Sequence, residues 1–199
     1  MNITPLLHRL ASRPKVYDAI QFAGGAPVVA GLMRRWLAEA RGLTVDVGGG
    51  TGRVKSLLPT AARHVCVDVD PQKLAGYVSK YEHGQAVFGD ALRLPLQGDV
   101  ANAVTLVAVS HHLTESELTI AFDEIARVLA PNGTFYFFDA ILAPNRWLSR
   151  WLWRHDRGAH PRTSEQLLYH LSSHFRIVDT FEYSIWHRYL ACRCQRTVK

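Results

Sequence analysis

Five apolar runs, at 43–47, 64–69, 85–88, 103–109 and 134–138, recur between segments with helical periodicity at 53–58, 71–81 and 115–130. Strands that are apolar along nearly their whole length must be buried on both faces, and alternation with helices supplies the cover. This pattern predicts a parallel sheet with helices on both faces. Helix ends support it. Asp70-Pro71 reads as a cap followed by proline at the first helical position. Thr114 and Glu117 have capping-box spacing, and Pro131-Asn132-Gly133 reads as a turn before the fifth strand. Ahead of the alternation, residues 4–41 look helical with a break at Gly24-Gly25-Ala26-Pro27. After 139 the pattern changes to a helix over 164–174 and two strands, 175–185 and 188–193, at hairpin spacing.

With 199 residues and 48% hydrophobic composition, the chain suits one domain with a sizeable core. No apolar run approaches the roughly 18 residues of a spanning helix, and residues 1–10 lack the apolar stretch of a signal peptide. Cys66, Cys192 and Cys194 form no CxxC pair, so reduced thiols in a cytoplasmic protein are expected, with no metal site. The net charge of +6 suits anionic partners. The charges are dispersed along the chain, however, which favours a small-molecule partner over nucleic acid.

The first strand runs into Val45-Asp46-Val47-Gly48-Gly49-Gly50-Thr51-Gly52-Arg53, a backbone shaped for close approach of a nucleotide-like ligand. Three cradles compete for it. The dinucleotide fingerprint GxGxxG requires a third glycine where Arg53 stands. The phosphate loop GxxxxGK[ST] requires glycine where Val54 precedes Lys55-Ser56, and a β-branched residue fits that tight loop poorly. The third pattern, D/E-x-G-x-G-x-G with a second acid ending the next strand, is met by Asp46 to Gly52 and by Asp68, sixteen residues beyond Gly52. A carboxylate at Asp68 can accept from two adjacent ribose hydroxyls. Asp90, after the third strand, can accept from an exocyclic adenine amine.

Further motifs follow in order: Leu94-Pro95-Leu96, Val109-Ser110-His111-His112-Leu113, and Arg127-Val128-Leu129-Ala130-Pro131-Asn132-Gly133-Thr134. Over residues 43–139, about half the chain, their order and spacing resemble a class I S-adenosylmethionine-dependent methyltransferase. The resemblance is to the broad methyltransferase type 11 group that includes ubiquinone- and menaquinone-biosynthesis C-methyltransferases. It implies a Rossmann-like, mostly parallel seven-stranded sheet ending in an antiparallel hairpin. It also implies S-adenosylmethionine as cofactor and S-adenosylhomocysteine as product. Asp46 would then lie near the methionine amine, with Gly48, Gly50, Thr51 and Gly52 around the methionine and ribose. Asp68 and Val69 would hold the ribose, Asp90 and Ala91 the adenine, and Ser110 would face the methionine end. Cys66 and Asn102 depart from the family pattern, which commonly has glycine and aspartate there. The N-P-P-Y/F tetrapeptide of amide- and adenine-N-methylating relatives is absent, and Ser110-His111-His112-Leu113 stands in that region.

Plainer readings stand beside these. Asp70 serves as a helix cap, Asp46 can satisfy turn N–H groups, and Asp139 and His112 are more often structural. His111, at the carboxyl edge of the sheet, is the candidate base, or else packs beneath that edge. The segment 144–162 places Arg146, Arg150 and Arg154 on one helical face and Trp147, Leu148, Trp151 and Leu152 on another. It reads as a lid over a lipophilic or anionic acceptor, or as a peripheral membrane contact through 146–154. His111, Trp147, Trp151, Arg157, His160 and Arg162 are the candidate acceptor contacts. The expected organisation is a single domain: helical cap 1–41, cofactor core 42–139, lid 140–163, and helix with hairpin 164–199. Two alternatives remain, a cofactor-retaining cyclase or decarboxylase on the same scaffold and an RNA-binding methyltransferase.

Overall fold

The computed structural model describes residues 26–38, 40–143, 153, 160–184 and 187–197. The expected helix before residue 24, and Trp147, Trp151, Arg157 and the arginines of 146–154, lie outside the described residues.

In chain order the elements are α1 (Ala26–Leu37), β1 (Leu43–Val47), β2 (Arg63–Asp68), α2 (Pro71–Lys80), β3 (Gln85–Phe88), β4 (Ala101–Val107), α3 (Glu115–Val128), β5 (Leu129–Ile141), α4 (Ser164–His174), β6 (Phe175–Ser184) and β7 (Arg188–Arg196). Short 3-10 turns cover Val54–Leu57 and Ser110–His112. The strands form one sheet in the order β3-β2-β1-β4-β5-β7-β6. The pairs β3–β2, β2–β1, β1–β4 and β4–β5 are parallel, and β7 runs antiparallel to both β5 and β6. The expected Rossmann-like sheet with its C-terminal hairpin is therefore present.

Strand alternation sorts side chains between two cores. Val45, Val47, Val65, Val67, Val104, Leu106, Phe135 and Phe137 pack on one face with Phe122 and Ile125 of α3 and Leu167 and Leu171 of α4. On the other face, Met33, Trp36 and Leu37 of α1 cover Ala103, Tyr136, Phe138 and Ala191, while Leu74 and Tyr77 of α2 cover Cys66. Both caps form as expected: the Asp70 carboxylate accepts from the Gln72 and Lys73 N–H groups, and Thr114 with Glu117 closes a capping box.

β2 (Arg63–Asp68) and β4 (Ala101–Val107) lie slightly earlier than expected, β7 runs on to Arg196, and two further boundaries differ for a local reason. The helix at 53–58 is only the 3-10 turn Val54–Leu57, because Pro59 drives Leu58 to an extended conformation (φ −79°, ψ 148°). The helix at 115–130 ends at Val128, and Pro131-Asn132-Gly133 lies inside β5. The partners Ala101↔Leu129 and Ala103↔Thr134 bracket a bulge that absorbs the expected turn without ending the strand.

Candidate functional site

Between β1 and β4 the strand order reverses, and open α/β sheets hold ligands outside the carboxyl ends of the strands at such a point. The glycine turn leaves β1 here. Gly48 and Gly49 N–H groups donate to Val67 O at 2.8 and 3.2 Å, tying the turn to β2. Gly50 (φ +55°) then donates to Asp68 Oδ2 at 2.8 Å. The Asp68 Oδ1 accepts from Asp70 N–H at 2.8 Å. A Cβ built on Gly50 would meet nothing closer than Lys73 Cδ at 3.6 Å and Asp68 Oδ2 at 3.9 Å. The crevice above the turn is thus open beside a nearly buried carboxylate. Each carboxylate oxygen retains a further lone pair for a ribose hydroxyl.

Other expected cofactor residues fall around this crevice. Gly89 N–H donates to Asp68 O at 3.1 Å, which sets Asp90 and Ala91 beside Asp68. The exposed Asp90 side chain accepts from Leu92 N–H at 3.0 Å, and Val69 and Thr51 are exposed on the rim. Asp46 sits differently. Its carboxylate is fully buried, accepts from Thr105 Oγ1 at 2.7 Å, and lies 3.6 Å from His64 Nε2. His64 Nδ1 is 2.8 Å from the Tyr77 hydroxyl. Asp46 is therefore one end of a polar chain through the face covered by α2. Among the described residues it accepts no turn N–H, so the simple turn-satisfying role is not the one it plays. Burial, with Asp46 and Asp68 nearby, pushes the Cys66 thiol to about 12, which leaves it a protonated packing residue.

The carboxyl ends of β4 and β5 build a second constellation. Ala108 adopts a left-handed conformation (φ +56°) and donates its N–H to Phe138 O at 2.8 Å. That reversal turns 110–112 back over β5. Asp139, completely buried, then receives Ser110 Oγ at 2.5 Å, His111 Nδ1 at 2.6 Å, Ala140 N–H at 2.7 Å and His111 N–H at 3.3 Å. Burial pushes the Asp139 carboxyl up, but the facing His111 charge and these hydrogen bonds outweigh it and hold the group below the usual carboxylate range. The His111 ring lies against His112 (centroids 4.1 Å) and edge-on to Trp153 (5.6 Å). Ser110, expected at the methionine end of the cofactor, is buried and held by Asp139.

Arg162 is 3% exposed. Its Nε donates to Glu115 at 2.7 Å, and its terminal nitrogens donate to Ser110 O (2.8 Å), Leu113 O (2.7 Å) and His160 O (3.2 Å). Four of its five N–H donors thus hold protein oxygens, and the expected acceptor contact gives way to a brace for the 110–113 segment. His160 N–H donates to His111 O at 3.0 Å, so this stretch also fastens to the site through its backbone.

Sequence reasoning undervalued Asp139 and did not select Trp153, Thr105 or His64. Asp139 carried a usable signal: it follows the fifth apolar run at the same sheet edge as His111. Among the described residues, no group of three or more His, Cys, Asp or Glu is placed to hold a metal. No described helix is long and apolar enough to cross a membrane.

Residues 45–137 match the methyltransferase domain family. The ubiquinone/menaquinone biosynthesis C-methyltransferase UbiE of Rubrivivax gelatinosus is 34% identical over 107 residues. That stretch is 52% of this chain but only 41% of the relative, so the chain spans well under half its length. A SAM-dependent methyltransferase of Methanosarcina mazei superposes with TM-score 0.72 at 14% identity, covering 80% of this chain and 94% of that one. Geranyl diphosphate C-methyltransferase of Streptomyces coelicolor A3(2), crystallised with S-adenosyl-L-homocysteine, gives TM-score 0.71 at 12% identity, covering 86% and 81%. These two likenesses are of fold. The open glycine turn and the Asp68 carboxylate both lie within the stretch that matches the methyltransferase domain, and it is this stretch, just under half of the chain, that is similar to S-adenosylmethionine-dependent methyltransferases.

Proposed function

We propose that the protein transfers a methyl group from S-adenosylmethionine to a small lipophilic acceptor that must lose a proton, with His111 as the base. The observation that carries this reading is the 2.6 Å contact between His111 Nδ1 and the buried Asp139 carboxylate. Donation from Nδ1–H to Asp139 makes Nε2 the basic nitrogen of the ring. The bound cofactor supplies an activated methyl carbon, for which positioning and alignment provide much of the rate.

In this reading Asp68 grips the ribose and Asp90 and Ala91 the adenine, while Asp46 stays buried against Thr105 and His64. Asp139 orients His111, and Arg162 holds the peptide carbonyls on either side of it. The acceptor lies against Trp153, which is buried and stands between the rings of His111 and His187 (centroids 5.6 and 5.1 Å). With Arg162 bound to protein oxygens, the lipophilic acceptor is favoured over the anionic one. The relative named for ubiquinone and menaquinone C-methylation is in keeping with such an acceptor. The proposed enclosure of the site by the N-terminal helices and 140–163, and the proposed membrane contact through 146–154, fall largely on residues outside the described ones. The expected location is the cytoplasm.

The test is production of S-adenosylhomocysteine when pure protein and S-adenosylmethionine meet lipophilic acceptors bearing an acidic O–H or C–H. His111→Gln should keep cofactor affinity and lower turnover by roughly 10²–10⁴-fold, the usual contribution of a general base. Unchanged turnover would remove His111 from the chemistry. Tight cofactor binding without homocysteine product from any acceptor would favour the cyclase or decarboxylase reading. Strongly salt-dependent RNA binding would favour the nucleic-acid one.

A further inference from the structure

The opposite end of the sheet carries a cavity of about 370 Å³, within the size range of small-ligand pockets. It lies where β4 and β5 begin and β7 ends. Ala103 lines it, and Val107 at the crevice end of β4 is four residues away, about 13 Å along a strand. It is therefore separate from the cofactor crevice.

Its polar lining is rich in donors. Arg193 projects from β7 on the face of Tyr136 and Trp36, and its Nε is buried without a hydrogen-bond partner; Asp179 is its register partner on β6, but among the described residues no carboxylate forms an ion pair with it. Asn102 accepts from Leu43 N–H through Oδ1 at 2.9 Å. That bond fixes the amide so that Nδ2 is its remaining end, a donor. Gln195 is fixed in the same sense, because its Oε1 accepts from Arg176. Arg41 covers the end of α1 by donating to Ala38 O and Ala40 O, so a guanidinium replaces bare carbonyls there. Among the described residues that line the cavity there is no aspartate or glutamate. Two guanidiniums, that of Arg193 partly buried with its Nε unsatisfied, and two oriented amides match a tetrahedral oxyanion.

We propose that this cavity binds the phosphate group of a small ligand, at a site distinct from the methyl-transfer centre, with Arg193 as its principal contact.

Titration of the full-length protein with inorganic pyrophosphate at low ionic strength, followed by amide NMR, tests the proposal. The expected result is saturable shifts at Asn102, Ala103, Thr134 and Arg193, with no shift in Gly48 to Gly52. Arg193→Gln should weaken the binding at least tenfold. Asn102→Asp, which keeps the acceptor for Leu43 N–H but places a carboxylate among the donors, should weaken it at least as much. Both variants should bind S-adenosylmethionine with unchanged affinity. A parallel arm uses phosphatidylcholine vesicles containing phosphatidic acid. Binding there alone, lost in the same variants, identifies a lipid headgroup as the source of the phosphate. Absence of saturable binding in both arms, shifts confined to the glycine turn, or equal affinity in both folded variants would overturn the proposal. The wild-type shift map stands by itself if either variant fails to fold.

Discussion

Asp139→Asn isolates the buried acceptor on which the 110–112 segment depends. The wild-type carboxylate takes four donors, two of them at 2.5 and 2.6 Å from Ser110 and His111. Asparagine keeps the shape but turns one acceptor oxygen into a donor. With the amide oxygen toward His111 Nδ1 and Ala140 N–H, the Ser110 hydroxyl can rotate to accept, and the His111 N–H loses its partner. Hydrogen bonds to a charged group contribute about 1.5–3 kcal/mol and neutral ones about 0.5–1.5, so weakening two and losing one should cost roughly 2–4 kcal/mol near pH 7. In a chain of this length that lowers the thermal midpoint by roughly 5–12 °C. The pH dependence separates charge from shape. Asp139 titrates below its unfolded value, so its stabilisation is complete above about pH 4 and is lost as pH falls through the lower folded pKa. Urea denaturation from pH 7 to pH 3 should therefore show the gap between wild type and variant closing at the acid end. A gap under about 0.5 kcal/mol at pH 7, the level of an ordinary surface change, or one that does not narrow in acid, would refute the reasoning.

Three further perturbations reach the rest of the site. Asp68→Ala should weaken S-adenosylmethionine binding by roughly 1.5–3 kcal/mol, the range for bonds to a charged group; calorimetry showing unchanged affinity would remove the ribose role. Gly52→Ala forces a left-handed alanine (φ +77°) and places its Cβ 2.2 Å from Cδ2 of the fully buried Tyr77. Overpacking and αL strain together should cost more than about 2 kcal/mol, and a wild-type thermal midpoint would contradict this packing. Arg162→Met keeps bulk but strands the carbonyls of Ser110, Leu113 and His160, at about 1–3 kcal/mol for each that stays dry. A loss below about 0.5 kcal/mol in urea would mean that Arg162 is no brace.

What could be read from the sequence follows the range of the forces involved. β1, β3 and α4 match their expected limits because each is set by neighbours along the chain: an apolar run bounded by glycine, or the Thr163 cap before a periodic stretch. The apolar run of β5 covers 134–138 but the strand has thirteen residues, since its far end is extended by antiparallel pairing of Asp139, Ala140 and Ile141 with Leu190, Tyr189 and Arg188. Nothing local reports that pairing. Asp46 shows the same limit within the site. Its motif identifies it as important, and the two-residue period between Val45 and Val47 requires it to face away from their core. Only the order β2-β1-β4, which places Cys66 and Thr105 opposite Asp46, brings His64 and Thr105 to its carboxylate. Asp139 and His111 combine the two cases. Each is visible alone at a strand end, but their contact needs β4 beside β5 with Val107 opposite Phe138, so that the residues just beyond converge. Once the strand order is known, the pairing follows from the register.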